Sequence, residues 1–281
     1  MTYHRHSGNL KVNGAELHYV EQGEGEPVVF VHGGLSDYRT WNPQMGPFSE
    51  RYRAVAYSRR GYYPNPWPEG YSVCSLLTHV EDLASLIDAL GLSPAHIVGN
   101  SYGAYVSLVL AVKHPELART LVLAEPPVHP LLLRLPGGKP LFEAFMNAAW
   151  KPAGEAFARD DMEEGVRLFI EGAVGRTEYD KLPAGVRNAM MKNAPEMAVS
   201  TRTSFDVHMP DVACEDAAHV EAPTLLLHGA NSPRKYFLIN DELTRCLPNA
   251  EQAEISGAAH VLHNHNPDEH NRVVLAFLAR H

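Results

Sequence analysis

From residue 27 to residue 125 the chain keeps one rhythm: a short run of apolar residues, a helical pattern, then another apolar run. Nothing else in the sequence narrows the fold as far. Runs that are apolar at nearly every position belong to strands buried on both faces, and parallel neighbours need a crossover, usually a helix, that supplies the cover. The runs lie at residues 27–31, 53–57, 96–99 and 121–125, and the pattern resumes at 224–228 and 251–255. Residues 10–12 and 17–20, joined near Asn13-Gly14, read as an opening hairpin, because that dipeptide accepts the positive φ of a tight turn. Leu76, Val80, Leu83, Ile87 and Leu90 recur at spacings of three and four and stop at Gly91, which describes one face of a helix. Residues 106–112 are apolar nearly all round, the mark of a buried helix. The expected fold is α/β: a mostly parallel eight-stranded sheet flanked by helices.

From residue 126 to residue 222 the rhythm breaks. Strand-like runs give way to Pro, Gly, Met and aromatic residues mixed with helical patterns at 141–150 and 162–170. This segment reads as a helical cap inserted into a core made of residues 1–125 and 223–281, and Pro126 and Pro223 mark its ends. A chain of 281 residues suits one such core with a lid. With 24 Lys+Arg against 33 Asp+Glu, the formal charge of −9 gives no positive field for phosphate backbones or anionic lipid, so nucleic acid is not an expected partner. No stretch approaches the ~20 apolar residues that span a bilayer, and the first ten residues lack an apolar leader. Cys74, Cys214 and Cys246 are far apart and odd in number, which argues against disulfides or a thiolate metal site. A reducing, cytoplasmic setting is expected, with no membrane contact and either a monomer or a homodimer.

Chemistry enters at Gly99-Asn100-Ser101-Tyr102-Gly103, between an apolar run and the buried helix. In a tight strand-to-helix turn a serine hydroxyl is pushed above the sheet, and the flanking glycines let neighbouring backbones approach. The first amide of the helix then faces any oxyanion forming there, and the helix N-terminal partial charge adds to it. A serine hydroxyl is a weak nucleophile until a base takes its proton, which an imidazole does near neutral pH. His260 follows the small-residue bend at 257–259 directly after a strand, whereas His263 and His265 compete only by proximity. Asn266, Pro267 and Glu269 fit the N-cap, N1 and N3 positions of a closing helix.

Together with Val31-His32-Gly33-Gly34-Leu35 after the third strand and Ser58-Arg59-Arg60-Gly61 after the fourth, these motifs resemble the α/β-hydrolase fold family over essentially the whole chain. The resemblance implies Ser101 as nucleophile, His260 as general base, His32 as a brace for the oxyanion loop, and the amides of Gly34 and Tyr102 as oxyanion donors, with Leu35 able to replace Gly34. In most relatives the acid that orients the histidine follows the seventh strand. Here Asn231 or Ser232 fills that place, neither can carry a charge, and Ser232-Pro233 reads instead as an N-cap and first helical residue. Glu125, at the end of the sixth strand, takes the acid's position used by a minority of the family, including zearalenone-type lactonases; Asp206, Asp211 and Asp241 are rivals in the lid or a helix.

Serine, histidine and carboxylate together favour acyl transfer to water, so a small hydrophobic ester or lactone is the expected substrate. Apolar and aromatic lid residues are candidate pocket walls, and Leu35 of the loop after the third strand and Trp150 of the lid are the candidate substrate contacts. A carbon–carbon bond hydrolase, a cofactor-free dioxygenase and a ligand sensor that keeps the same residues are the alternatives. No cofactor is expected, because Gly-x-Gly-x-x-Gly is absent, and no metal, because H-E-x-x-H is absent and one of the clustered histidines 260, 263 and 265 already has a role.

Overall fold

The computed structural model describes residues 4–174 and 178–281. Its eight strands, β1 His6–Val12, β2 Ala15–Gln22, β3 Glu26–Val31, β4 Tyr52–Tyr57, β5 Ala95–Asn100, β6 Ala118–Ala124, β7 Thr224–Gly229 and β8 Ala250–Ile255, form one sheet in the order β1-β2-β4-β3-β5-β6-β7-β8. The β1–β2 and β2–β4 pairs are antiparallel and the rest are parallel. At the opening hairpin Asn13 and Gly14 both have positive φ, +46° and +73°, which matches the right-handed twist of the strands they join.

Helices cover both faces because consecutive strand residues point to opposite sides. Val29, Val31, Ile97, Leu121 and Leu123 pack on α1 Leu76–Ala89, α2 Tyr102–Lys113 and α3 Arg234–Cys246. Val28, Phe30, Val98, Val122 and Ala124 face the opposite way, toward helices Asn42–Ser49 and Pro267–Leu278. The predicted stop at Gly91 is present: its φ is +62°, and the Leu92 amide donates back to Ile87 O at 2.9 Å. Asn266 caps the last helix, its side chain accepting from the Glu269 amide, with Pro267 next.

Between β6 and β7 the described residues form no strand, only helices joined by turns and loops. Among them are Gly138–Phe145, a π-helical turn Met146–Trp150, Lys151–Ala158, Met162–Ala173 and Ala194–Arg202. No helix among the described residues is long and apolar enough to cross a membrane.

Two expectations need correction. Cys214 and Cys246 form a disulfide with Cα atoms 5.0 Å apart, because the short helix Cys214–Ala217 packs on the end of α3. Only Cys74 is a free thiol, and the cysteine argument for a reducing compartment falls away. The N-cap of α3 is Pro233 rather than Ser232; its ψ of 138° is extended, so helical geometry begins at Arg234.

The order of strands reverses direction at β3, between β4 and β5, and the crevice at the carboxyl ends of such strands is where open α/β sheets bind ligands. Two helix–strand contacts define that crevice. A Cβ on Gly103 would lie 2.1 Å from Val31 O, and one on Gly99 would lie 2.6 Å from Ala104 N. Both obstacles are backbone and cannot rotate away. Gly103→Ala is therefore expected to cost at least about 3 kcal/mol of stability, while Gly185→Ala, with open space around it, stays within about 1 kcal/mol of wild type. Denaturant midpoints of the two variants check this.

Candidate active site

Ser101 leaves β5 with φ +52° and ψ −126°, a backbone conformation that non-glycine residues rarely adopt. Its amide donates to Ala124 O at 2.8 Å, which holds it against the end of β6. Glu125 follows at that strand end with φ +49°, and Leu35, in the loop after β3, has φ +50°. Of the five non-glycine residues with positive φ among the described residues, these three follow the ends of the neighbouring strands β5, β6 and β3; the other two, Asn13 and Asp160, lie elsewhere. Strain of this kind costs about 1–3 kcal/mol per residue and persists where surrounding structure enforces it.

His260 Nε2 lies 2.8 Å from Ser101 Oγ, and His260 Nδ1 lies 2.6 Å from Glu125 Oε2. An ionised carboxylate only accepts, so Nδ1 carries the hydrogen and Nε2 presents its lone pair to the serine hydroxyl. The second carboxylate oxygen, Oε1, accepts from the Gly229 amide at 2.8 Å. Glu125 is fully buried, and both of its oxygens are satisfied. The end of β7 thus contributes a backbone donor that fixes a carboxylate delivered by β6. Asn231 is exposed and its amide donates to Ala258 O at 2.8 Å. Asp211 pairs with Arg134, Asp241 accepts from Gln252, and Asp206 is exposed.

The histidine loop is tied down from below. Asn100 Nδ2 donates to His260 O at 3.1 Å, which gives the asparagine before the serine a holding task. His263 stacks on Trp41 at 4.1 Å and contacts Thr40 Oγ1 at 2.8 Å, and His265 Nδ1 accepts from the Ala259 amide; neither reaches Ser101.

Gly33 lies against Ser101: a Cβ there would sit 3.1 Å from Ser101 Cβ. The loop that follows is braced by the buried His32. Its Nε2 accepts from the Arg59 amide at 2.9 Å, so Nδ1 donates to Gly33 O at 2.8 Å. Arg59 adds donors to His32 O and Gly33 O at 3.1 and 3.0 Å, a brace the sequence did not single out. Tyr102 is the first residue of α2, and a helix-opening amide has no acceptor within its own helix. Leu35 is buried among Ala153, Phe157, Ala194 and Met197, whereas Trp150 stacks on His208 at 5.0 Å.

Several neighbours went unseen in the sequence. Tyr236 stacks on the His260 ring at 4.3 Å and 12°, with its hydroxyl 3.3 Å from Nε2. Lys235 is buried, and burial pushes its amine down to about 7. His208 stacks on Tyr102 at 4.6 Å. Behind Tyr102, Cys74 donates to Glu196 Oε1 at 2.9 Å with His79 close by. Burial raises the Glu196 carboxyl, but His79 and Arg59 outweigh it and hold the group at about 2.

The chain belongs to the α/β hydrolase fold family, whose model matches residues 26–267. A Mycobacterium tuberculosis protein provisionally named non-heme bromoperoxidase BpoC is 28% identical over 275 residues, spanning 94% of this chain and 97% of that one. Solved structures that share the fold include two lactone-cleaving enzymes by their descriptions. The enol-lactonase from Burkholderia xenovorans LB400 matches with TM-score 0.77 at 20% identity, covering 97% of this chain and 100% of its own. Est816, described as an N-acyl homoserine lactone degrading enzyme, matches with TM-score 0.76 at 22% identity, covering 96% and 100%.

Buried imidazoles make the fold acid-sensitive. Burial, with the Arg59 charge adding to it, holds His32 at about 3, and burial holds His208 and His270 at about 4. In the unfolded chain each titrates near 6.5. Below that pH the unfolded chain takes up protons that the folded one refuses, so stability falls as pH drops from 6.5 toward 4. Melting temperature is expected to decline steadily across that window, and His270→Gln should flatten the decline by about one proton's worth; a flat wild-type profile contradicts it.

Proposed function

We propose that this protein is a serine hydrolase that cleaves a carboxylic ester or lactone through an acyl-enzyme on Ser101. The observation carrying the reading is the continuous hydrogen-bonded line from Ser101 Oγ through His260 to Glu125, at 2.8 and 2.6 Å, on a strained strand-to-helix turn. Such a line performs one task well. As Ser101 Oγ adds to a carbonyl, His260 Nε2 takes its proton, and the buried Glu125 carboxylate balances the imidazolium that forms. Oxyanion charge falls to the Tyr102 amide and to the amide of Gly34 or Leu35, each worth about 3 kcal/mol in the transition state. The alkoxide leaves with the proton from His260; water then gives a proton to the same nitrogen as it attacks the acyl carbon, and the bond to Ser101 Oγ breaks as His260 returns that proton to the serine, which frees the acid.

Helices from residues 126–222 act as a cap over this centre, and their aromatic side chains supply apolar walls. The lactone chemistry named for Est816 and for the Burkholderia enzyme agrees in kind with this reading. An epoxide hydrolase or dehalogenase mechanism of this fold needs a carboxylate nucleophile where Ser101 stands.

Ser101→Ala is expected to abolish turnover of p-nitrophenyl esters or simple lactones. Glu125→Gln should lower kcat about 10³- to 10⁴-fold while the protein melts near the wild-type temperature, because a neutral amide cannot balance a charged imidazole. Glu125→Gln turnover within tenfold of wild type removes Glu125 from the mechanism.

A further inference from the structure

The aromatic surroundings of Ser101 contain two polar side chains whose hydrogen-bonding capacity is largely unused. Contacts run in a closed circuit from the serine. His260 stacks on Tyr236 at 4.3 Å, Lys235 Nζ lies 5.0 Å from the Tyr236 ring and 4.2 Å from Phe145, and Phe145 lies 6.3 Å from Trp150. Trp150 stacks on His208, and His208 stacks on Tyr102, the residue after Ser101. His129 joins the circuit 4.3 Å from Phe145.

His129 is 2% exposed, and neither ring nitrogen has a hydrogen-bond partner. Lys235 is 4% exposed and, among the described residues, makes one hydrogen bond, to Gly172 O at 3.1 Å, with no carboxylate within ion-pairing distance. A lysine ammonium offers three donors. Its position is unfavourable for helix stability: Lys235 sits in the first turn of α3, where no acidic residue offsets the helix's own positive end. The opposite charge that acts on it, Glu125, already spends both oxygens on Gly229 and His260. A counter-charge role for Lys235 would also leave the unpartnered His129 without a purpose.

We infer that Lys235 and His129 form a carboxylate-binding subsite, so that the ester or lactone cleaved at Ser101 carries a second, free carboxylate. The substrate part of this inference rests on the acyl-transfer reading of Ser101; the subsite does not. A carboxylate between the two side chains accepts from Lys235 Nζ and from an imidazole N–H, beside the apolar face of Phe145, where charge-assisted hydrogen bonds are stronger than in water. A neutral ester leaves those buried donors unpaired, and unpaired buried groups are what reject a wrong ligand most sharply.

Calorimetry on Ser101→Ala protein tests this without turnover. The probes are mono-p-nitrophenyl esters of four- to six-carbon diacids, each paired with the neutral p-nitrophenyl ester of equal chain length. At least one diacid ester is expected to bind tenfold or more tightly than its neutral partner, and adding Lys235→Met or His129→Phe should shrink that ratio about tenfold. Two results overturn the subsite: diacid esters that bind no better than neutral ones, which needs no second variant, or a Lys235→Met change that weakens both members of a pair equally, as loss of a counter-charge to Glu125 would. Selective binding of a diacid ester with no release of p-nitrophenolate by wild-type protein keeps the subsite and sinks the hydrolase reading instead.

Discussion

The start of α2 touches the end of β3 more closely than any side chain allows. With Gly103 against Val31 O and Gly99 against Ala104, the chain has no relaxed way to pass from β5 into the helix, and Ser101 absorbs the turn at φ +52°. Packing of large apolar surfaces enforces that strain: the buried helix is pressed onto the sheet by Val106, Leu108 and Leu110, among others, each worth about 1.5–3 kcal/mol of burial. The half-buried position of that hydroxyl at the strand end is therefore a consequence of core packing.

A second constraint is electrostatic. Glu125 is fully buried, and a buried carboxylate is tolerable only with its oxygens satisfied. The Gly229 amide and His260 Nδ1 do this from two different segments. The end of β7 supplies a backbone donor to a carboxylate carried by the neighbouring strand β6, so the hydrogen-bonded line to His260 forms without a charged residue at 231 or 232. The same economy governs the loop after β3, where His32 and Arg59 spend buried donors on carbonyls of the turn.

Much of this was legible because it is local or periodic. All eight strands and the helix stopped by Gly91 follow from runs and spacings, and Ser101, His260 and Glu125 each stand beside a strand end that the apolar pattern marks. Glu125 came into view through the family resemblance: Asn231 and Ser232, where most relatives place the acid, carry no charge, and a minority place it at the end of the sixth strand. What stayed hidden depends on packing between distant segments. Nothing in the sequence brings Tyr236 onto His260, Lys235 to Phe145 or His208 onto Tyr102, because neighbouring residues show no repeat that marks them. The Cys214–Cys246 bond has the same origin: its spacing of 32 residues resembles no framework, and it forms because two helices meet. The one-residue shift of the α3 N-cap from Ser232 to Pro233 came from reading a favourable capping pair without the backbone angle that decides it.

The central claim is that Ser101 is a nucleophile activated by its neighbour. A fluorophosphonate reacts covalently with a serine of that kind, and mass spectrometry of the digested protein locates the adduct. The phosphonyl group is expected on the peptide containing Ser101, at one equivalent, with labelling slowed by orders of magnitude in a His260→Ala variant. An adduct elsewhere, or no adduct in folded wild-type protein, contradicts it.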